Sequence, residues 1–352
     1  MPQLTELIIS KTSEYLTIPA VVGYEHFFMD YLEQDFKALG LNAYQYQGLL
    51  QIEGTTPNSA IICAHLDRHG LISLGDSEYV YAAQYMREIK YGENNESSRK
   101  QVQDIGKRFE GEKIYAYHPE YGEHVAEGHI LACYPNRRND DALFMIEGIA
   151  QLAPNIPIAY ARQARYEDGK LKGQIDNVLS IATTYALYKA GYQGTALLTC
   201  EEEIGKSWIH IAQYLNGSQI ETQNLLVIDT SPYKTDALIQ EGPIVLRNRD
   251  KSEIFNPALV TALKERCESL GLPYRIKDER MLAEGKTIDQ IGSTELGRLI
   301  QNLDGRWSGA TIQIPTLSYH TSNETTTEKA IQNYFKFLND ILIENPMEIL
   351  SV

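Results

Sequence analysis

The sequence predicts an α/β fold: an open, mixed β-sheet domain interrupted by a small β-rich insert. Three observations carry that expectation. From about Gly173 onward, short apolar runs rich in β-branched residues alternate with amphipathic, helix-length segments. Between residues 71 and 167 this alternation stops, and strand-like runs punctuated by Gly and Pro take its place. The His and acidic residues able to bind metal fall just after predicted strands, the edge at which open α/β sheets place ligands.

Composition fits this class and removes others. The chain has 352 residues, 43% hydrophobic and 22% charged, ordinary values for a globular protein with a large core. With 47 Asp+Glu against 32 Lys+Arg, the formal charge is −15. That balance argues against a nucleic-acid footprint and against docking on an anionic membrane. The opening MPQLTELIISKTSEYL has no basic stretch followed by an apolar run, so a cytoplasmic location is expected. No apolar run approaches the ~18 residues of a membrane helix. Cys63, Cys133, Cys200 and Cys267 form no CxxC pair and read as free, buried thiols.

Taken in order, residues up to Leu39 read as helix, with FFMDYLEQDFKAL at helical spacing and Gly40 as the stop. Residues 41–53 read as extended, and SAIICAH as a buried strand ending at His65. The insert is expected to be β-rich, with one helical segment near its start. Beyond it, DNVLSIATTYALYKAG reads as helix, TALLTC as strand, SWIHIAQYL as helix and NLLVID as strand. NPALVTALKERCESLG is a helix stopped by Gly271, PYRIK a strand, and TELGRLIQNL a helix. ATIQIPTLSYH reads as the last strand and EKAIQNYFKFLNDILIE as a final amphipathic helix. The catalytic domain is thus expected to be discontinuous, over 1–70 and 168–352, with 71–167 inserted.

Four motifs could carry chemistry. His65-Leu66-Asp67 leaves a strand, and Asp67 could hold the second ring nitrogen of a metal-binding His65. Alone, His-x-Asp more often marks a structural histidine. Glu201-Glu202-Glu203 places three carboxylates side by side, which repel unless cations or protons intervene. Their bland reading is an acidic helix start. Asp229 could cap a turn, His320 could be structural, and Asp176-Asn177 alone reads as a helix N-cap. The set outweighs its members. His65, Asp176, Glu203, Asp229 and His320 supply nitrogen and carboxylate donors without thiolates, which suits catalytic zinc, cobalt or manganese. Five such donors exceed one open site and suffice for two metals sharing a carboxylate.

These segments resemble metallopeptidase family 42, the dinuclear metal aminopeptidases of the tetrahedral or glutamyl-aminopeptidase type. AHLDRHG matches the family's His-x-Asp turn, KLKGQIDN is similar to its bridging-Asp segment, and CEEEIG matches its Glu-Glu motif. VIDTSP carries its aspartate ligand, EGPIVLRNRD resembles its Gly-Pro strand, and IPTLSYHTSNE matches its terminal histidine motif. The long stretch between Asp67 and Asp176 has room for this family's inserted domain.

The resemblance implies a phosphorylase/hydrolase-like sheet and two divalent ions, zinc first, cobalt or manganese as alternatives. It implies His65, Asp176 and Asp229 on one metal and Asp176, Glu203 and His320 on the other. Glu202 would be the general base and Asp67 would orient His65. It also implies a peptide substrate and a homo-oligomer, from dimer to dodecamer, assembled through the insert.

Departures concern the surroundings. Gly292-Ser293-Thr294-Glu295-Leu296 stands where the family shows Gly-Gly-Thr-Asp-Ala, which makes Gly292, Thr294 and Glu295 candidate substrate-binding residues. Arg68 and His69 follow the His-x-Asp turn. A second ring there could compete for metal, but solvent-facing side chains are the expectation. Two other functions remain open at this stage: a metal-dependent deacylase acting on a non-peptide amide, and a non-catalytic binding protein on the same scaffold.

Overall fold

The structure, a computed structural model, describes residues 2–87, 96–135, 142–149, 151–160, 164–218, 224–303 and 305–350. Helices α1 (Pro2–Tyr15) and α2 (His26–Ala38) lead into the hairpin β1 (Asn42–Tyr46) and β2 (Leu49–Glu53), then β3 (Ile61–His65). Next come β4 (Leu71–Gly75), β5 (Glu78–Tyr81), α3 (Ala82–Arg87), α4 (Glu96–Phe109), β6 (Lys113–Tyr117), β7 (His124–Pro135), β8 (Ala142–Glu147) and β9 (Pro157–Tyr160). The hairpin β10 (Arg165–Glu167) and β11 (Lys170–Gly173) precedes α5 (Val178–Ala190), β12 (Thr195–Thr199), α6 (Ser207–Gly217) and β13 (Asn224–Pro232). The last part holds α7 (Asp236–Glu241), β14 (Ile244–Leu246), α8 (Pro257–Ser269), β15 (Tyr274–Ile276), α9 (Lys277–Ala283), α10 (Glu295–Asn302), β16 (Ser308–Thr316), β17 (Glu324–Thr327) and α11 (Glu328–Asn339).

The main sheet has eight strands in the order β1-β2-β12-β3-β13-β16-β14-β15. Its middle is parallel: β12 with β3, β3 with β13, and β13 with β16. Antiparallel pairs flank that middle, β2 with β12 and β16 with β14. Strands β3 and β12 are buried along their whole length, as continuous apolar runs in a sheet covered on both faces should be. Helix α5 is buried from Val178 to Tyr188, so it packs on all sides rather than along one stripe. Helix α8 begins at Asn256, whose side chain accepts hydrogen bonds from the amides of Ala258 and Leu259.

Strands β4-β5-β8-β7-β6-β9 close into a separate barrel. The closing pair sets Leu71 opposite Ile158. Barrel and sheet bury separate apolar cores. Aromatic rings fill the barrel, with Phe109 of α4 against Tyr81, Phe144 and Tyr160. A third, small sheet pairs β10, β11 and β17.

Several expectations change. The N-terminal helix is two helices, separated at Pro19 and Gly23. Proline supplies no amide hydrogen, and Gly23 adopts φ +85°. Val21 forms a parallel bridge with Arg68 there. The expected last strand stops at Thr316, short of His320, and the strand after it, β17, was not anticipated. The insert holds two helices where one was expected. Cys63, Cys200 and Cys267 are free and buried, whereas Cys133 is only partly buried. Among the described residues no helix is long and apolar enough to cross a membrane.

Candidate metal centre

The parallel middle of the sheet brings the motifs together. His65 ends β3 and lies opposite Thr199, two residues before Glu201. Val227 of β13 pairs with Cys63, so Asp229 arrives level with His65. Asp176 sits in the turn before α5, and its peptide bond to Asn177 is cis. Its Oδ1 lies 3.4 Å from His65 Nε2, and its Oδ2 lies 3.5 Å from His320 Nε2. Asp229 Oδ1 is 3.7 Å from His65 Nε2, and Glu203 Oε1 is 3.6 Å from His320 Nε2. The two oxygens of one carboxylate therefore face two separate donor groups. Among the described residues these groups are His65, Asp176 and Asp229 on one side, and His69, Glu203 and His320 on the other.

Hydrogen bonds fix the donors. The Glu324 carboxylate accepts from the amides of Asp176 (2.8 Å) and His320 (2.7 Å), locking two separate segments together. Thr230 Oγ1 donates to Asp176 Oδ1 at 2.9 Å, and Gln313 Nε2 donates to Asp229 Oδ2 at 3.0 Å. Asp67 was expected to orient His65, but its Oδ1 is 3.6 Å from Nδ1. The Asp67 backbone carbonyl takes that nitrogen instead, at 3.1 Å. The Asp67 carboxylate accepts from the amides of Glu202 and Glu203, both at 2.9 Å. It therefore positions the acidic turn directly. Glu201 (φ 64°) and His320 (φ 60°) adopt left-handed backbone conformations, uncommon for these residue types and concentrated where geometry is imposed by the surroundings. Asn177 makes no cap, because its Nδ2 donates to the carbonyl of Ile228.

The electrostatics describe a site built for cations. Burial raises Glu202 well above the ordinary carboxylate range, and Glu203, Asp229 and Glu295 add to the shift. Burial likewise raises Glu203 to about 7. Burial opposes ionisation of Asp176, yet the neighbouring His320 and His65 rings hold it well below the usual value. Burial would lower His65, but the surrounding carboxylates of Asp176, Asp229 and Asp67 carry it well above its ordinary value. Buried atoms Asp176 Oδ2, His320 Nε2 and His69 Nε2 make no hydrogen bond. Converging orphaned donors and crowded acids fit two divalent cations, which would relieve both conditions at once.

A cavity of about 290 Å³ opens beside these groups. Glu202, Glu203, Asp229 and His320 line it, together with the cations Arg247, Lys277 and Arg298. Of the expected substrate-binding residues, Gly292 and Thr294 line it. Glu295 does not: it is buried behind the wall and accepts a hydrogen bond from Thr199 Oγ1 at 2.9 Å. Asp250 shapes the rim by accepting from the Thr294 amide and hydroxyl. Sequence reasoning missed Arg247, Lys277 and Tyr319, since lone cations and a lone ring carry no spacing signal. It also expected Arg68 and His69 to face solvent. Both are buried, Arg68 donating to the carbonyl of Ile18 and His69 facing the site.

A sheet whose central parallel strands present imidazoles and carboxylates beside a cavity is the frame of a metal-dependent hydrolase. The family model for M42 glutamyl aminopeptidase matches residues 158–337. The chain belongs to the M42 glutamyl aminopeptidase family and is a metal-dependent aminopeptidase.

Solved structures share its fold across nearly the whole length. An aminopeptidase from the archaeon Desulfurococcus kamchatkensis matches with a TM-score of 0.69 at 15% identity, covering 99% of this chain and 97% of that one. The TET1 peptidase of Pyrococcus horikoshii, described as assembling into a tetrahedron or a large octahedral shell, matches with a TM-score of 0.68 at 16% identity, covering 96% and 99%. A Thermotoga maritima protein described as an endoglucanase matches with a TM-score of 0.64 at 11% identity, covering 96% and 98%. No curated protein matches the chain. Membership in an aminopeptidase family favours peptide hydrolysis over the deacylase and binding-protein readings.

Proposed function

We propose that the chain releases N-terminal residues from peptides at a centre of two divalent metals bridged by Asp176, with Glu202 as the proton carrier. The observation that carries this reading is the placement of the Asp176 oxygens, one toward His65 and one toward His320. His65, Asp176 and Asp229 would hold one ion, and Asp176, Glu203 and His320 the other. Zinc suits this nitrogen and carboxylate set, with cobalt or manganese as alternatives. When bound, two such ions would lower the pKa of a water and polarise a carbonyl.

The chain's own groups do the rest. Glu202 accepts the proton of the attacking water and returns it to the leaving amine, a role suited to a carboxylate of raised pKa. Asp67 sets the reach of Glu202 by holding its amide. Glu324 keeps Asp176 and His320 at fixed separation. Burial and then Arg247 push Lys277 well below its ordinary pKa despite the opposing Asp229 and Asp176, so a further anion in the cavity would stabilise its charge. With Arg247 and Arg298 on the cavity wall, Lys277 favours substrates with an acidic N-terminal residue.

The barrel within 71–167 is proposed as the assembly surface of a homo-oligomer. Val125, Leu131 and Tyr134 on β7 and Met145 on β8 are exposed apolar side chains on paired strands, which supports such a contact.

Metal-loaded protein assayed on aminoacyl chromogenic amides and on N-acylated amino acids tests the reaction. Cleavage of the free-amine substrates, fastest with N-terminal Glu or Asp, is expected. Cleavage of blocked amides alone would overturn it.

A further inference from the structure

We infer that His69 is itself a metal ligand, giving the His320 side of the centre a second imidazole. This rests on the dinuclear reading above and adds a residue to it. His69 lies in the loop between β3 and β4, where the chain passes from sheet to barrel. Its ring is buried, its Nε2 is 2.9 Å from Glu203 Oε1, and its ring centroid is 4.2 Å from that of His320. That Nε2 makes no aligned hydrogen bond although it is sealed from water. Such an atom normally has a partner, and here it points into a cluster of donors within 4.8 Å of one another.

The far side of the ring is held as metal-binding imidazoles are held. Nδ1 lies 2.6 Å from the hydroxyl of Tyr81, on the barrel strand β5. With a metal on Nε2, the ring proton sits on Nδ1 and is donated to Tyr81 Oη, which fixes tautomer and orientation. The His69 backbone is fixed too, its carbonyl accepting from Gln174 Nε2 at 2.8 Å. The barrel thereby contributes a residue to the metal centre.

The chemical consequence is asymmetry. One side offers a single imidazole with Asp176 and Asp229. The other offers two imidazoles with Glu203 and the shared Asp176. Added nitrogen favours zinc and cobalt over manganese and magnesium at that position. The competing role for His69 is a hydrogen-bond donor to Glu203, and a glutamine could fill that role.

Chelator-treated protein titrated with Zn²⁺ and with Mn²⁺ separates the roles. Wild type should take up two equivalents; uptake of fewer would mean the dinuclear reading has failed, whatever His69 does. His69→Gln should keep one equivalent unchanged, weaken the other at least ~100-fold for Zn²⁺, and narrow the preference for Zn²⁺ over Mn²⁺ at that position. Tyr81→Phe should weaken the same equivalent by the ~10–100-fold typical of groups that orient a ligand. A His69→Gln protein that binds both equivalents as wild type does would overturn the inference. Should that variant misfold, diffraction from zinc-loaded wild-type protein decides. His69 Nε2 at about 2.0–2.1 Å from a metal is expected, and Nε2 donating to Glu203 with no metal at bonding distance would overturn it.

Discussion

The two sides of Asp176 are built differently. On one side the donors belong to the sheet: His65 ends β3 and Asp229 lies within β13, so strand register alone brings them level. On the other side Glu203, His320 and His69 all sit on connecting segments. They are held by a few polar contacts, from Asp67 to the Glu203 amide, from Glu324 to the His320 amide and from Tyr81 to the His69 ring. The first side should be robust to changes in loops. The second should depend on individual hydrogen bonds, and it includes one contact from the barrel.

The largest effect should come from removing what the sides share. Asp176→Ala is expected to abolish activity and reduce bound metal from two equivalents to less than one. Asp229→Ala should leave about one. Elemental analysis of dialysed proteins measures this, and equal losses in both variants would erase the distinction between the sides. Glu202→Gln should lower kcat by ~10²–10⁴-fold with metal content unchanged, because it removes proton transfer and no ligand. Full activity in that variant would exclude Glu202 as the proton carrier. Lys277→Met should cost ~10–100-fold in kcat/KM on N-terminal Glu substrates, the range of a hydrogen bond to a charged group. Neutral substrates should be little affected, and a uniform loss would mean Lys277 supports the fold rather than selecting substrate.

Acidity should separate the sides more gently. His65 is raised well above its ordinary pKa, so in metal-free protein it holds a proton that metal must displace. Affinity on that side should therefore climb with pH through that raised value. Glu203, at about 7, competes only below neutrality. Calorimetric titration across a pH series, in buffers of different ionisation heat, should show proton release that fades as pH rises and that His65→Ala removes. Metal affinity on that side independent of pH would contradict the assignment. The smallest effect should follow Asn256→Ala, which removes the α8 cap and touches no residue that lines the cavity. About 1 kcal/mol of stability should be lost in denaturant unfolding, with activity unchanged.

Much of the sheet was legible because its strands are local apolar runs with helices between them, and IIC, TALLT and NLLVID mark themselves. The barrel's closure was not, because pairing Leu71 with Ile158 is a long-range choice with no local signature. Nor was the small sheet, whose strands KLKG and ETTT are short and mostly polar. The five principal donors were legible through motif resemblance, and the structure brings all five together. His69 was misjudged because a residue beyond a tight turn can face either way, and the ring that contacts it, Tyr81, lies on a barrel strand distant in sequence. Glu295 was misjudged for a related reason. The motif resemblance placed it in the pocket, but the start of α10 is buried and its carboxylate accepts from Thr199 Oγ1.

Whether one carboxylate, Asp176, joins two metal positions decides the chemistry proposed for this centre. Anomalous diffraction from crystals of the metal-loaded protein tests it most directly. Two peaks are expected about 3.5–4 Å apart, one beside His65 and Asp229, the other beside Glu203 and His320, with an Asp176 oxygen on each. A single peak, or two peaks that Asp176 does not join, would contradict the account.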